Sequence, residues 1–142
     1  MGLFSIVDVN YWAVLVAALV AFVIGGLWYS PVLFGKLWMQ LMGITPKMMT
    51  EAKKKSMTLS YVLQFIALLV MACVVAHFIS LLGLTTLPEI LQLVFWSWLG
   101  YQATLELSST LWGCKSWSLF LLNSAHNLVS FVAMGLVFFW ML

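Results

Sequence analysis

Apolar positions in this chain run almost unbroken through four long stretches. They cover about Tyr11–Tyr29, Met57–Leu82, Pro88–Trp112 and Trp117–Met141. A hydrocarbon core about 30 Å thick needs roughly 20 apolar residues of helix. A backbone inside it must also satisfy its own hydrogen bonds. The pattern therefore predicts an all-α integral membrane four-helix bundle. The stretches fill most of the 142 residues, so residues 1–142 are expected to form a single transmembrane domain with no soluble one.

The pattern changes between the first two stretches. Pro31 ends the first helix because it lacks an N–H to donate. Leu33, Phe34, Leu37, Trp38, Leu41 and Met42 then recur at helical spacing, with Lys36 and Gln40 opposite. This predicts a short helix lying in the membrane interface. Gly43 should stop it. Thr45 should cap a second short helix with Pro46 in its first position, and Glu51 and Lys55 should pair at i,i+4. Asp8 or Asn10 can cap the first long helix. Thr86-Leu87-Pro88-Glu89 has the spacing of a capping box before the third.

Within the first stretch Ala13, Ala17, Ala21 and Gly25 recur every four residues. Small residues at this spacing let a second helix approach closely. They predict packing against the second or fourth helix, with a contact between copies as the alternative.

Charge sets the orientation. All six basic residues are lysines, and they fall only in the first and third connections. Short lysine-rich loops stay cytoplasmic. The reading is a multi-pass protein of the inner (plasma) membrane with both termini outside. Met1–Asn10 carries Asp8 and no basic residue, so a cleaved signal peptide is not expected. A composition 65% hydrophobic and 7% charged excludes a soluble protein. The net charge of +2 points to anionic membrane lipids as partners and gives no reason to expect nucleic acid. Trp12, Trp28, Trp38, Trp112, Trp117 and Trp140 fall near the predicted interfaces, as anchoring requires. Trp96 and Trp98 lie deeper and lack that explanation.

The candidate chemistry centres on Glu106, the charged residue that no interface accommodates. A carboxylate in hydrocarbon costs several kcal/mol unless it faces protein or water, or is protonated. Counting outward from the turn Gly113-Cys114-Lys115-Ser116 puts Glu106 level with Asn123, and Gln102 level with Asn127. Counting from Thr85 puts Gln64 at the same height as Glu106. Gln102, Glu106, Ser109 and Thr110 share one stripe, and Asn123, Asn127 and Ser130 share the facing one, with His126 beside it. Such stripes can serve as interhelical glue. Glue does not need an ionisable group, because Gln would serve without the desolvation cost. Glu106 is thus the candidate proton- or cation-binding residue, with Gln64, Gln102, Asn123, Asn127 and His126 as partners. His126 could relay a proton to Glu106 from about one turn away.

Other chemistry is thin. Cys73 and His77 stand at i,i+4 but have no third ligand, so no metal site is expected. His77 and His126 lie ~15 Å apart in depth at 1.5 Å per residue, too far to share one haem, and no cofactor is expected. Cys73 and Cys114 lie at different depths and should not form a disulfide. Phosphate loops, nucleophile elbows and HExxH are absent, so enzymatic activity is not expected.

Some residues carry a family resemblance. Gly26-Leu-Trp-Tyr-Ser-Pro-Val-Leu-Phe-Gly-Lys-Leu-Trp38 resembles the opening block of the bacterial membrane family called domain of unknown function 1761. Leu107-Ser-Ser-Thr-Leu-Trp112 and Phe120-Leu-Leu-Asn-Ser-Ala-His-Asn127 are similar to later blocks. The resemblance implies a compact four-helix membrane protein and brings no activity with it. If its first block is a site, Trp28, Tyr29, Ser30 and Lys36 would line it at the inner surface.

Three functions compete. The first is an oligomeric transporter or channel for protons, cations or small molecules, using Glu106; four helices are too few to enclose a roomy path, so it would be a homo-oligomer. The second is a non-catalytic accessory subunit or assembly factor that docks a membrane-protein partner. The third is a lipid- or quinone-binding enzyme with Glu106 and His126 as an acid–base pair.

Overall fold

A computed structural model describes residues 7–142, so Met1–Ile6, on which part of the signal-peptide and N-terminus readings rests, lies outside the described residues. Every regular element among the described residues is helical. The order is α1 (Tyr11–Trp28), α2 (Gly35–Met42), α3 (Pro46–Lys54), α4 (Thr58–Leu81), α5 (Leu87–Ser97), a π-helical turn (Trp98–Ala103), α6 (Thr104–Trp112) and α7 (Trp117–Trp140). Helices α1, α4 and α7 are each long and apolar enough to cross a membrane. The third apolar stretch is helical along its length, but the π turn divides it into α5 and α6.

The helix ends follow local chemistry. Asn10 Oδ1 accepts from the N–H groups of Trp12 and Ala13 at 3.1 and 3.3 Å, so Asn10 caps α1. Thr45 Oγ1 accepts from Met48 N–H at 3.2 Å, with Pro46 in the first turn of α3. Gly43 closes α2 in the left-handed region at φ 71°. Glu89 Oε2 accepts from the N–H groups of Thr86 and Thr85 at 3.0 and 3.1 Å, as a capping carboxylate does. The expected Glu51–Lys55 pair is corrected. Lys55 is the C-cap at the end of α3, where the helix stops, and no ion pair between it and Glu51 is seen among the described residues.

Helix α7 is the hub. It packs on α1, on α5, and on the π turn and α6, and α2 reaches it as well. Helix α1 lies between α7 and α4, and α4 touches α5 and α7 more lightly. The apolar core fills the half of the molecule nearest Asn10 and Met141. It is built from Ala13–Ala21 of α1, Leu68–Ile79 of α4, Ile90 and Val94 of α5, and Phe131–Phe138 of α7. Ala13, Ala17 and Ala21 are all buried, so the small-residue stripe serves packing inside the chain. Gly135 permits the close approach of α5 and α7; a Cβ there would meet Ile90 Cγ2 and Val94 Cγ1 at 3.3 Å.

The chain ends of this half are tied by Asn10 Nδ2 donating to the Met141 carbonyl at 3.1 Å and Ser80 Oγ donating to the Asp8 carbonyl at 2.9 Å. The connections that carry all six lysines lie at the other end. Of the two unexplained tryptophans, Trp98 donates from Nε1 to the Ser124 carbonyl at 2.9 Å, which fastens the π turn to α7. Trp96 is exposed, and nothing in the structure explains it.

Candidate functional site

Polar side chains gather in the lysine-bearing half, beyond the apolar core. Tyr29 follows the last turn of α1, and its hydroxyl donates to Asn123 Oδ1 of α7 at 2.7 Å. Asn123 Nδ2 donates in turn to Glu106 Oε1 of α6 at 3.0 Å. All three residues are half-buried. A carboxylate can only accept, so the Asn123 amide has to present its NH2 to Glu106 and its carbonyl to Tyr29. One amide thereby links three helices. The carbonyl oxygen of a neutral carboxyl accepts as well, so the same contacts tolerate a proton arriving at Glu106 or leaving it.

His126 lies one turn further along α7. Its ring centroid is 5.0 Å from that of Tyr29 and 5.9 Å from that of Trp28. Its Nε2 lies 3.3 Å from Ser130 Oγ. Gly25 of α1 faces this ring; a Cβ there would be in ordinary contact with His126 Nε2, at 3.4 Å. The imidazole thus faces α1, and the direct partner of Glu106 is Asn123. Among the expected site residues, the structure brings Glu106, Asn123, His126 and Tyr29 together.

Gln102 lies in the π turn. Its Nε2 points at Met71 Sδ of α4 at 3.8 Å, and its Oε1 is buried with no hydrogen-bond partner. Asn127 is half-buried on α7. Gln64 is exposed on α4 and stands apart from the cluster. The turn count gave its height along the helix and not its direction, and the α5–α6 run packs chiefly on α7. The π turn itself has no obvious sequence signal beyond Gly100. Thr104 Oγ1 donates to the Gly100 carbonyl at 2.8 Å, so a side chain takes up a carbonyl in the widened turn.

The first family-like block folds against this network. Gly35 is buried, and its N–H donates to the Ser30 carbonyl at 2.8 Å. A Cβ there would collide with the Tyr29 carbonyl oxygen at 2.5 Å, so the tight turn between α1 and α2 requires glycine. Trp38 packs edge-on to Tyr29 with centroids 5.9 Å apart. Tyr29, Ser30 and Lys36 line a cavity of about 710 Å3 together with residues of α3 and α4. Trp28 packs at a tilt against Phe34, with centroids 4.7 Å apart, instead of lining it, and its Nε1 is buried without a partner. The sequence pointed to two separate candidate regions, and the structure joins them through Tyr29.

His77 Nδ1 lies 2.7 Å from the Cys73 carbonyl, one turn away on the same helix. No three His, Cys, Asp or Glu side chains cluster to hold a metal among the described residues. Cys73 and Cys114 are both free thiols.

No curated protein matches the chain, and no solved structure does. A family model described as "Protein of unknown function (DUF1761)" matches residues 12–139, which takes in all of the helices but Tyr11 of α1 and Trp140 of α7, and the whole Tyr29–Asn123–Glu106 network. The chain belongs to that family.

Proposed function

We propose that this is a membrane transport protein that passes protons or small cations through the Glu106 site and works as a homo-oligomer. In this reading the α5–α6 run is a fourth crossing, the molecule is a four-helix bundle, and α2 and α3 lie in the interface. The lysine-bearing end faces the cytoplasm and both termini lie outside.

One observation carries the proposal. Glu106 is half-buried on α6, and its carboxyl is bound by Asn123, which is bound by Tyr29. A glutamine at 106 would hold Asn123 equally well without the cost of desolvating a carboxylate, so the ionisable group itself needs a reason. Glue would also call for a fully satisfied network. Here Gln102 Oε1, one helical turn from Glu106, and Ser124 Oγ, beside Asn123, are buried and unpaired.

Gln64 favours a protein neighbour in the membrane. Its amide lies on an exposed face of a spanning helix, where another helix satisfies it better than lipid. In the transport reading that neighbour is a second copy. In the accessory-subunit reading it is a different membrane protein. Proton and alkali-cation flux in proteoliposomes separates the two: transport requires flux in the wild type, and an accessory role gives none while a stoichiometric partner co-purifies.

A further inference from the structure

We infer that the cavity at the lysine-bearing end is a binding site for an anionic amphiphile, with the headgroup held by Lys36 and Lys53 and the acyl chain against the methionine-rich wall. The inference does not depend on the transport reading: its ligand contacts are Lys36, Lys53 and the methionines, and the two regions share Tyr29.

The cavity is a half-open groove between the Tyr29–Ile44 block, α3 and the start of α4, with a volume of about 710 Å3. Sites for small ligands commonly measure about 300–1,000 Å3. Met39, Ile44, Met49 and Met57 give it apolar walls. Methionine is flexible and polarisable, which suits a chain without fixed shape. Lys36 and Lys53 are the charged side chains of the lining, and no acid lines it. Two cations with no counter-charge disfavour a cationic ligand and favour an anionic one. Both lysines are exposed, so their ammonium groups stay in water at the mouth while the apolar wall runs inward. Separation of charge at the rim from apolar surface within is the polarity of a lipid and not that of a free anion.

The lining is also ordered by fold-specific features. Gly35 permits the tight turn after α1 and α2 packs on α7, while the Gly43 stop and Thr45 cap end α2 and start α3, whose Pro46, Met49 and Lys53 complete the lining. Two short helices thus border a space that a plain connection between α1 and α4 would not form.

The test uses the purified full chain in an uncharged detergent and phosphatidylglycerol with brominated acyl chains, which quenches nearby tryptophan. Trp38 lines the cavity and reports occupancy. Trp12, Trp96, Trp112, Trp117 and Trp140 are exposed and meet lipid as well, so the quenching compared is the part that Trp38→Phe abolishes; it should be saturable and weakened about fivefold by each of Lys36→Gln and Lys53→Gln. Brominated phosphatidylcholine should quench weakly. Equal quenching by the two lipids, or unchanged quenching in the folded double lysine variant, would overturn the proposal. Competition by soluble glycerol phosphate as effective as that by phosphatidylglycerol would also overturn it, because the site would then read the headgroup alone. Melting of each variant beside the wild type identifies any that fails to fold; Lys36→Arg and Lys53→Arg, which keep the charge, should then bind as the wild type does, and loss of binding in these would overturn it too.

Discussion

The Tyr29 hydroxyl donates a 2.7 Å hydrogen bond to Asn123, a residue 94 positions away, and so joins the end of α1 to the polar face of α7. Through Asn123 it also reaches Glu106. Replacing Tyr29 with Phe removes the donor and leaves the Asn123 carbonyl unpaired in a half-buried site. The cost of stranding such a group is about 1–3 kcal/mol. Tyr29→Phe should lower the melting temperature in mild detergent. An unchanged melting curve would show that water replaces the hydroxyl without loss.

Glu106→Gln should fold as the wild type does. The glutamine carbonyl can still accept from Asn123 Nδ2, and the change removes the charge while keeping the shape. Size-exclusion profile and melting in mild detergent check this. Loss of the monodisperse species would make the carboxylate a structural requirement.

Much of this was legible in the sequence, and the reason differs from residue to residue. Asn10, Thr45 and Gly43 act within one turn of themselves, so their roles follow from spacing alone. Glu106 and Asn123 flank a short turn, and counting outward from it matched their heights. The count says nothing about direction around the helix axis, and Gln64, expected at the height of Glu106, is exposed on α4. Tyr29 meets Asn123 only because α1 packs beside α7, and no short connection ties those two helices. The π turn arises where α5 and α6 both press on α7 and Trp98 is drawn to the Ser124 carbonyl, a tertiary demand that leaves little local trace.

Ala17 is fully buried between α1 and its neighbours. Ala17→Leu inserts three carbons where no space exists, and overpacking of this kind costs about 1–3 kcal/mol or more. The variant should melt at lower temperature or lose its monodisperse profile. Gly135→Val should behave likewise, because its Cβ already meets Ile90 and Val94 at 3.3 Å. Wild-type stability in both would mean that the helices separate readily.

Glu89 caps α5 through its carboxylate, which accepts from the N–H groups of Thr86 and Thr85. Glu89→Ala removes both bonds, and loss of a cap costs about 0.5–2 kcal/mol. Amide exchange at Thr85 and Thr86 should be faster in the variant; unchanged exchange would show that the carboxylate does not hold this turn.

Proton flux into proteoliposomes, measured for the wild type, Tyr29→Phe, Glu106→Gln and the double variant, tests the central claim most directly. One site shared by the two residues predicts flux in the wild type, less in Tyr29→Phe, none in Glu106→Gln, and no further loss in the double variant. Undiminished flux through a folded Glu106→Gln, or no flux in the wild type, would contradict it.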